Sequence, residues 1–290
     1  MFGQHSGRFG VVNGVSTCRE WSITDSQNLF KAVASNTGGG EASVASVEDW
    51  TGSFGTFGKT PFAMPGDTIS FLGYTAPDND SSGVGWTYSG TALITQLALT
   101  WNFTAGEVLS QAYDFGGHLA LTPNQAAAQI TDASLADLPL VQLTKVQYST
   151  DGSTFTNWTA LSQVVLTLSN AVQTFVDSDT IVSGRIWTGR KKGNPSSWTL
   201  AVTEHNIDRQ RFTKGQQLWL RLFVDAIHYW ELKWGKVKDF SGIQVNVETG
   251  GIIQQTVNLE MNLIDDGIVS TTPGVLGHVA KPDSTLWLGA

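Results

Sequence analysis

The stretch Asp49-Trp50-Thr51-Gly52-Ser53-Phe54 has an echo in the second half of the chain, Ile186-Trp187-Thr188-Gly189. The two tryptophans lie 137 residues apart, and the same spacing carries Trp21 onto Trp158 and Ser16-Thr17 onto Ser153-Thr154. Tryptophan is a rare residue, so two pairs at one spacing point to a chain written as two copies of one unit. Self-similarity on this scale governs every local reading.

Composition agrees with that division. A length of 290 residues holds two units of ordinary domain size. With 31 Gly, 11 Trp and only 14% charged residues, strands and tight turns are favoured over helices. The formal charge of −8 belongs to the first half: residues 1–140 carry 4 Lys+Arg against 12 Asp+Glu, and residues 141–290 carry 13 of each. This balance argues against tight nucleic-acid binding, which depends on Lys and Arg neutralising phosphates, but permits a surface that nucleic acid slides past. A single cysteine, Cys18, excludes an internal disulfide. The start, Met1-Phe2-Gly3-Gln4-His5, lacks a charged segment followed by an apolar run, so no signal peptide is expected. No membrane span is expected either, since no stretch approaches ~18 apolar residues. Synthesis in a cytoplasm follows.

Outward from Trp50, turn signals and alternation mark strands. Asn13-Gly14 and Asp151-Gly152 are hairpin turns. Strands are expected through Trp21, over Leu29–Val33 and over Leu161–Leu168. Pro65-Gly66-Asp67 and Lys214-Gly215 open strands over Thr68–Tyr74 and Gln217–Phe223. The spacing between copies has become 149 there, so the second copy carries 12 extra residues, among them Arg190-Lys191-Lys192. That basic run suits an anion or nucleic-acid contact, or a solvated loop.

The clearest alternation is Leu97, Leu99, Trp101 and Phe103, which share one strand face. The chain returns through Val108, Ser110, Gln111 and Tyr113. At a spacing of 144 the second copy offers Ile243, Val245 and Val247, then Ile252, Gln254, Gln255 and Val257. Each copy thus presents a long hairpin able to line a channel or pair with a neighbour's sheet edge. The reading is a mainly β chain with at most one short helix per copy. It divides into a first unit over 1–122, a linker over 123–140 with a helical turn near Asn124–Ile130, a second unit over 141–264 and a tail over 265–290. The Leu286-Trp287-Leu288 end of that tail suits docking on a partner.

No catalytic constellation emerges. His5, His118, His205, His228 and His278 show no metal-ligand spacing. The carboxylate pairs Asp177/Asp179 and Asp265/Asp266 sit in turn-like surroundings. No enzyme activity, metal or cofactor is expected. The tryptophans leave a sugar-stacking β-sandwich as an alternative, against which repeat-equivalent strand positions argue for burial.

The order Val12-Asn13-Gly14-Val15, Arg19-Glu20-Trp21-Ser22-Ile23, Ala34-Ser35-Asn36-Thr37, Asp49 to Pro61, Met64-Pro65-Gly66-Asp67 and Gly83-Val84-Gly85-Trp86 resembles the tail tube (major tail) proteins of long-tailed bacteriophages. The resemblance covers residues 10–118, and the internal repeat extends it to about 262. It implies tandem β-sandwich or barrel domains of tail-tube type in a structural virion protein. In that family, subunits form stacked rings whose hairpins join into an inner barrel through which DNA passes during ejection. The implied partners are further copies of the chain, other phage tail proteins and passing double-stranded DNA. Family rings are usually built from six single-domain subunits. Two copies per chain imply trimeric, pseudo-hexameric rings. Distal-tail and tail-tip proteins share the fold and stand as alternatives.

Overall fold

A computed structural model of the chain describes residues 18–33, 40–58, 61–75, 86–104, 109–125, 144–205, 211–225, 229–244, 254–262, 264–265 and 268–269. The strands are β1 (Cys18–Val33), β2 (Glu41–Phe57), β3 (Thr68–Tyr74), β4 (Trp86–Asn102), β5 (Ser110–Gln125), β6 (Val146–Ser149), β7 (Thr156–Trp158), β8 (Leu161–Phe175), β9 (Ile181–Val182), β10 (Arg185–Trp187), β11 (Gly189–His205), β12 (Gln217–Phe223), β13 (Tyr229–Gln244) and β14 (Gln254–Met261). Two short strands, β15 (Ile264–Asp265) and β16 (Ile268–Val269), pair with each other. The one helical element among the described residues is a 3₁₀ turn, Ser178–Thr180, capped by Asp177.

The fold is mainly β, and β1 to β14 belong to one sheet. Within it the order β1-β2-β5-β4-β3 recurs as β8-β11-β14-β13-β12, antiparallel throughout. Strand irregularities recur with it. The register slips between Cys18 and Glu20 on β1 and between Leu161 and Gln163 on β8. It slips again between Gln27 and Leu29, matched at Asn170 and Val172, and between Ile94 and Gln96, matched at Val237 and Asp239. A bulge inserts an unpaired residue and bends its strand, so matched bulges mean matched strand paths. The turns into β3 and β12 match as well. Gly66 N donates to Ile94 O, and Gly215 N to Val237 O, both at 2.7 Å. Asp67 Oδ2 accepts from Met64 N, and Gln216 Oε1 from Thr213 N. Both glycines have positive φ, +92° and +83°, which glycine adopts without a Cβ penalty.

These registers correct the equivalences drawn from the Trp-Thr-Gly echo. The spacing is 143 from β1 to β8, 148 from β2 to β11 and 144 from β5 to β14. Trp50 therefore matches Trp198, both buried, rather than Trp187. Trp187 lies on β10, which runs parallel to β2 beside Val47 and Glu48. Trp21 matches Val164, not Trp158. The expected insertion shrinks to five residues, four within 176–188 and one in the bulge at 193–195, while Arg190-Lys191-Lys192 is strand β11. The expected linker also retreats: β5 continues to Gln125, so 123–125 is strand, and 126–143 lies outside the described residues. The Asn13-Gly14 hairpin and the Leu286-Trp287-Leu288 end lie outside them too.

Each five-strand set curls, as twisted sheets do, until its two ends meet. In the first, Trp21 of β1 packs edge-on against Phe71 of β3 at 5.8 Å, and its Nε1 donates to Tyr74 O at 3.2 Å. In the second, β6 and β7 continue the sheet beyond β12, and Trp158 Nε1 donates to Glu204 Oε2 of β11 at 2.8 Å. Alternation does the rest: Leu218, Leu220 and Leu222 of β12 point inward, as do Ile69 and Phe71 of β3. Trp50 fills the first interior, donating from Nε1 to Leu119 O at 2.9 Å. Gly117 permits this, since a Cβ there would lie 2.1 Å from the indole.

Candidate functional site: a strand junction and a polar face

One strand belongs to both sets. β4 pairs with β5 on one edge; on its other edge it pairs with β3 over Thr87–Leu93 and with β8 over Gln96–Asn102. The bulge at Ile94/Gln96 lies where the partner changes. Leu97 meets Leu168, Leu99 meets Leu166 and Trp101 meets Val164. All six are buried, and Trp101 Nε1 reaches into the second set to donate to Phe223 O at 2.9 Å.

The matching half-junctions are bare. Beyond its own bulge, β13 has β14 on one edge of Asp239–Gln244 and, among the described residues, no strand on the other. The β1 segment Glu20–Ser26, which matches the junction part of β8, pairs among the described residues with β2 alone. Burial records the difference. Leu97 is fully buried where its match Phe240 is half-buried; Val164 and Leu166 are fully buried where Trp21 and Ile23 are half-buried.

A clasp reinforces the junction. The distal ends of β8 and β11 lie over β2 and β5. Arg190 Nη2 donates to Asp49 Oδ2 at 2.7 Å, and Nη1 lies 2.7 Å from Oδ1 and donates to the carbonyls of Gly117 and Trp50. Arg190 N donates to His118 Nδ1 at 2.9 Å, Leu119 N to Thr188 O, and Arg185 pairs with Glu48 at 3.2 Å. The basic run is thus a structural contact. Its sequence signal was the acid pair Glu48-Asp49 beside one Trp-Thr-Gly and the cations beside the other; spacing alone did not pair them.

The sheet surface opposite the two interiors is polar. Cross-strand partners share a face, and they form slanting rows. One runs Ser22–Ser53–Asp114–Gln96–Ser169–Ser197, the next Glu20–Gly55–Ala112–Ala98–Thr167–Thr199–Glu260, and a third Ser110–Thr100–Val165–Ala201–Asn258–Asp239. Hydroxyls link strands across it, Ser22 to Ser53 at 2.9 Å and Ser169 to Ser197 at 2.8 Å. Between β2 and β11 these rows bear one formal charge, Asp114.

This parity redistributes the residues expected to line a channel. Leu97, Leu99, Trp101, Tyr113, Gln111, Gln255 and Val257 turn into the interiors. Phe103 packs against the core, and Ser110 and Gln254 are half-buried. Ile243 lies on β13, its side chain undescribed; Val108, Val245, Val247 and Ile252 lie outside the described residues. Gln111 and Gln255, matched across the repeat, are both buried hubs. Gln111 Nε2 donates to Gly58 O and Gln255 Nε2 to Glu204 Oε1. Tyr113 donates to Gln111 Oε1 at 2.6 Å, and burial pushes its phenol well above the usual tyrosine range. Trp50, Trp101, Trp158, Trp187, Trp198 and Trp230 are buried; among described side chains Trp86, 44% exposed, is the one exposed tryptophan. No group of three or more potential metal ligands occurs among the described residues, and no helix there is long and apolar enough to cross a membrane.

No family model matches the chain, and no curated protein matches it.

Proposed function

We propose that the chain is a structural subunit of a phage tail tube that joins head to tail into closed rings. The observation that carries this reading is the β4–β8 junction. It unites one β4-type edge with one β8-type edge inside the chain and leaves one of each, on β13 and β1, without a strand partner among the described residues. An edge exposed in this way is a template for another chain, and a heterologous contact closes into a ring when its rotation permits. Three chains supply the six units of the family's ring.

The polar face supports the second half of the reading, passage of DNA. A wall of hydroxyls and amides with acids but few cations offers phosphates little to hold, so a duplex meets no sequence of tight sites. The acidic first half of the chain acts in the same direction.

Carrying the in-chain register across the repeat places Ser241 opposite Thr24 of the next chain, as Ala98 stands opposite Thr167. In a Cys18→Ser background, Thr24→Cys with Ser241→Cys is expected to give an oxidative ladder ending at three chains. Light scattering should show trimers and negative-stain images hollow rings or tubes. Monomers at every concentration would refute the reading.

A further inference from the structure

Past the slip between Gln27 and Leu29, β1 and β2 run on as a two-stranded arm, with Leu29, Phe30 and Val33 55%, 65% and 67% exposed. A two-stranded ribbon is marginally stable alone, and three large apolar side chains in water add to its cost. The matching arm, Val172–Phe175 with Gly189–Lys192, is not left alone. It is the clasp, seated on a shoulder formed by Asp49 of β2 and Gly116–His118 of β5. Phe175 packs 6.1 Å from the His118 ring.

We infer that the exposed arm seats on the matching shoulder, Ser197 of β11 with Glu260 and Met261 after the same spacing, of the next copy of this chain. The inference rests on the head-to-tail reading and deepens it. It is continuous with the β4–β8 junction: an arm that follows its own strand across a junction in the chain follows it across the equivalent junction between chains.

The chemistry of arms and shoulders identifies the occupant. Where the in-chain shoulder has Asp49, its arm has Arg190. The free shoulder has Ser197 in place of Asp49, and the registers put Ser43 of the free arm in place of Arg190 and Val44 in place of Lys191. The salt link of the clasp is thus missing from both members together, and the charges the free arm does carry, Lys31 and Glu41, pair with each other at 3.2 Å. Glu260, on the free shoulder, is already paired with Lys238 at 3.3 Å and asks for no cation from the arm. An arm with Ser43 in place of Arg190 would strand Asp49, and the basic arm would find no carboxylate at Ser197, so each arm suits one seat.

The test mixes two full-length chains in a Cys18→Ser background, one carrying Ser43→Cys and the other Ser197→Cys, under mild oxidation. A disulfide requires Cα atoms within about 7 Å. The expected product is the mixed dimer, several-fold above either homodimer. Leu29→Asp with Phe30→Asp, on an exposed arm, is expected to weaken assembly tenfold or more while leaving the circular dichroism of the monomer unchanged. Assemblies that form without the mixed disulfide, or that tolerate the arm substitutions, overturn the arm's seating and leave the β13–β1 pairing standing. Chains that stay monomeric throughout overturn both.

Discussion

Arg190→Ala isolates what the clasp contributes. The guanidinium is 8% exposed and holds the 30% exposed Asp49 carboxylate together with the carbonyls of Gly117 and Trp50. Removing one member of a buried ion pair typically costs about 3–5 kcal/mol, because the partner is left charged and unpaired. Asp49 keeps some contact with water, which recovers part of that, so a loss of about 2–4 kcal/mol is expected. Urea unfolding followed by tryptophan fluorescence, at concentrations where the chain is monomeric, measures it. Asp49→Asn should cost less, since the two carbonyls still accept from Arg190. The double variant should be less damaged than the sum of the singles by about 1–3 kcal/mol, the range for residues in contact. A loss below about 0.5 kcal/mol for Arg190→Ala, the level of ordinary surface substitutions, would refute the argument.

Trp101→Ala opens a cavity at the junction and leaves Phe223 O without its indole donor; a loss of about 3–5 kcal/mol is expected in the same assay. Gly117→Ala drives a methyl into the Trp50 ring and should lower stability by about 1–3 kcal/mol or more, whereas at Gly184 no atom lies within 4 Å and only its φ of +77° resists, so Gly184→Ala should cost about 1 kcal/mol. Burial of Tyr113 raises its folded pKa, so the associated stability is complete below the ordinary phenol value and fades as pH climbs above about 10. Tyr113→Phe should flatten that alkaline loss in a pH series of unfolding midpoints. Asp151 has the opposite sign: the Ser149 hydroxyl first, then Thr154 N and Ser153 N, hold its carboxyl below the usual range. Asp151→Asn should therefore remove stability above about pH 4 and leave the most acidic end unchanged, as thermal melts across pH would show.

The strand content was legible because alternation is local: Leu97, Leu99 and Trp101 declare a buried face within seven residues. The recurrence of strand order was hinted at by the turns at Gly66 and Gly215, whereas the tryptophan pairs that suggested it, Trp50 with Trp187 and Trp21 with Trp158, are not matches. The register of the repeat was not legible. Trp187 copies the sequence around Trp50 but stands beside Glu48, and Trp198, the true match, has Ser197 and Thr199 for neighbours rather than the Asp-Trp-Thr-Gly context. Bulges shift spacing by single residues and depend on both strands, so no single-strand pattern reveals them. The candidate site lay further out of reach. That β4 changes partner at Ile94/Gln96, and that Arg190 closes on Asp49, are facts of non-local pairing, between Gln96 and Ser169 in the one case and across 141 residues in the other.

Since β4 and β8 belong to one molecule, their union needs no collision and forfeits no translational freedom. In a closed circle of such molecules every second seam would be of this kind, present before assembly begins and indifferent to dilution. Only the alternate seams would obey mass action. Such an assembly should come apart on dilution into whole chains, each with one seam intact, and half as many seams between molecules would have to form as for single-unit subunits.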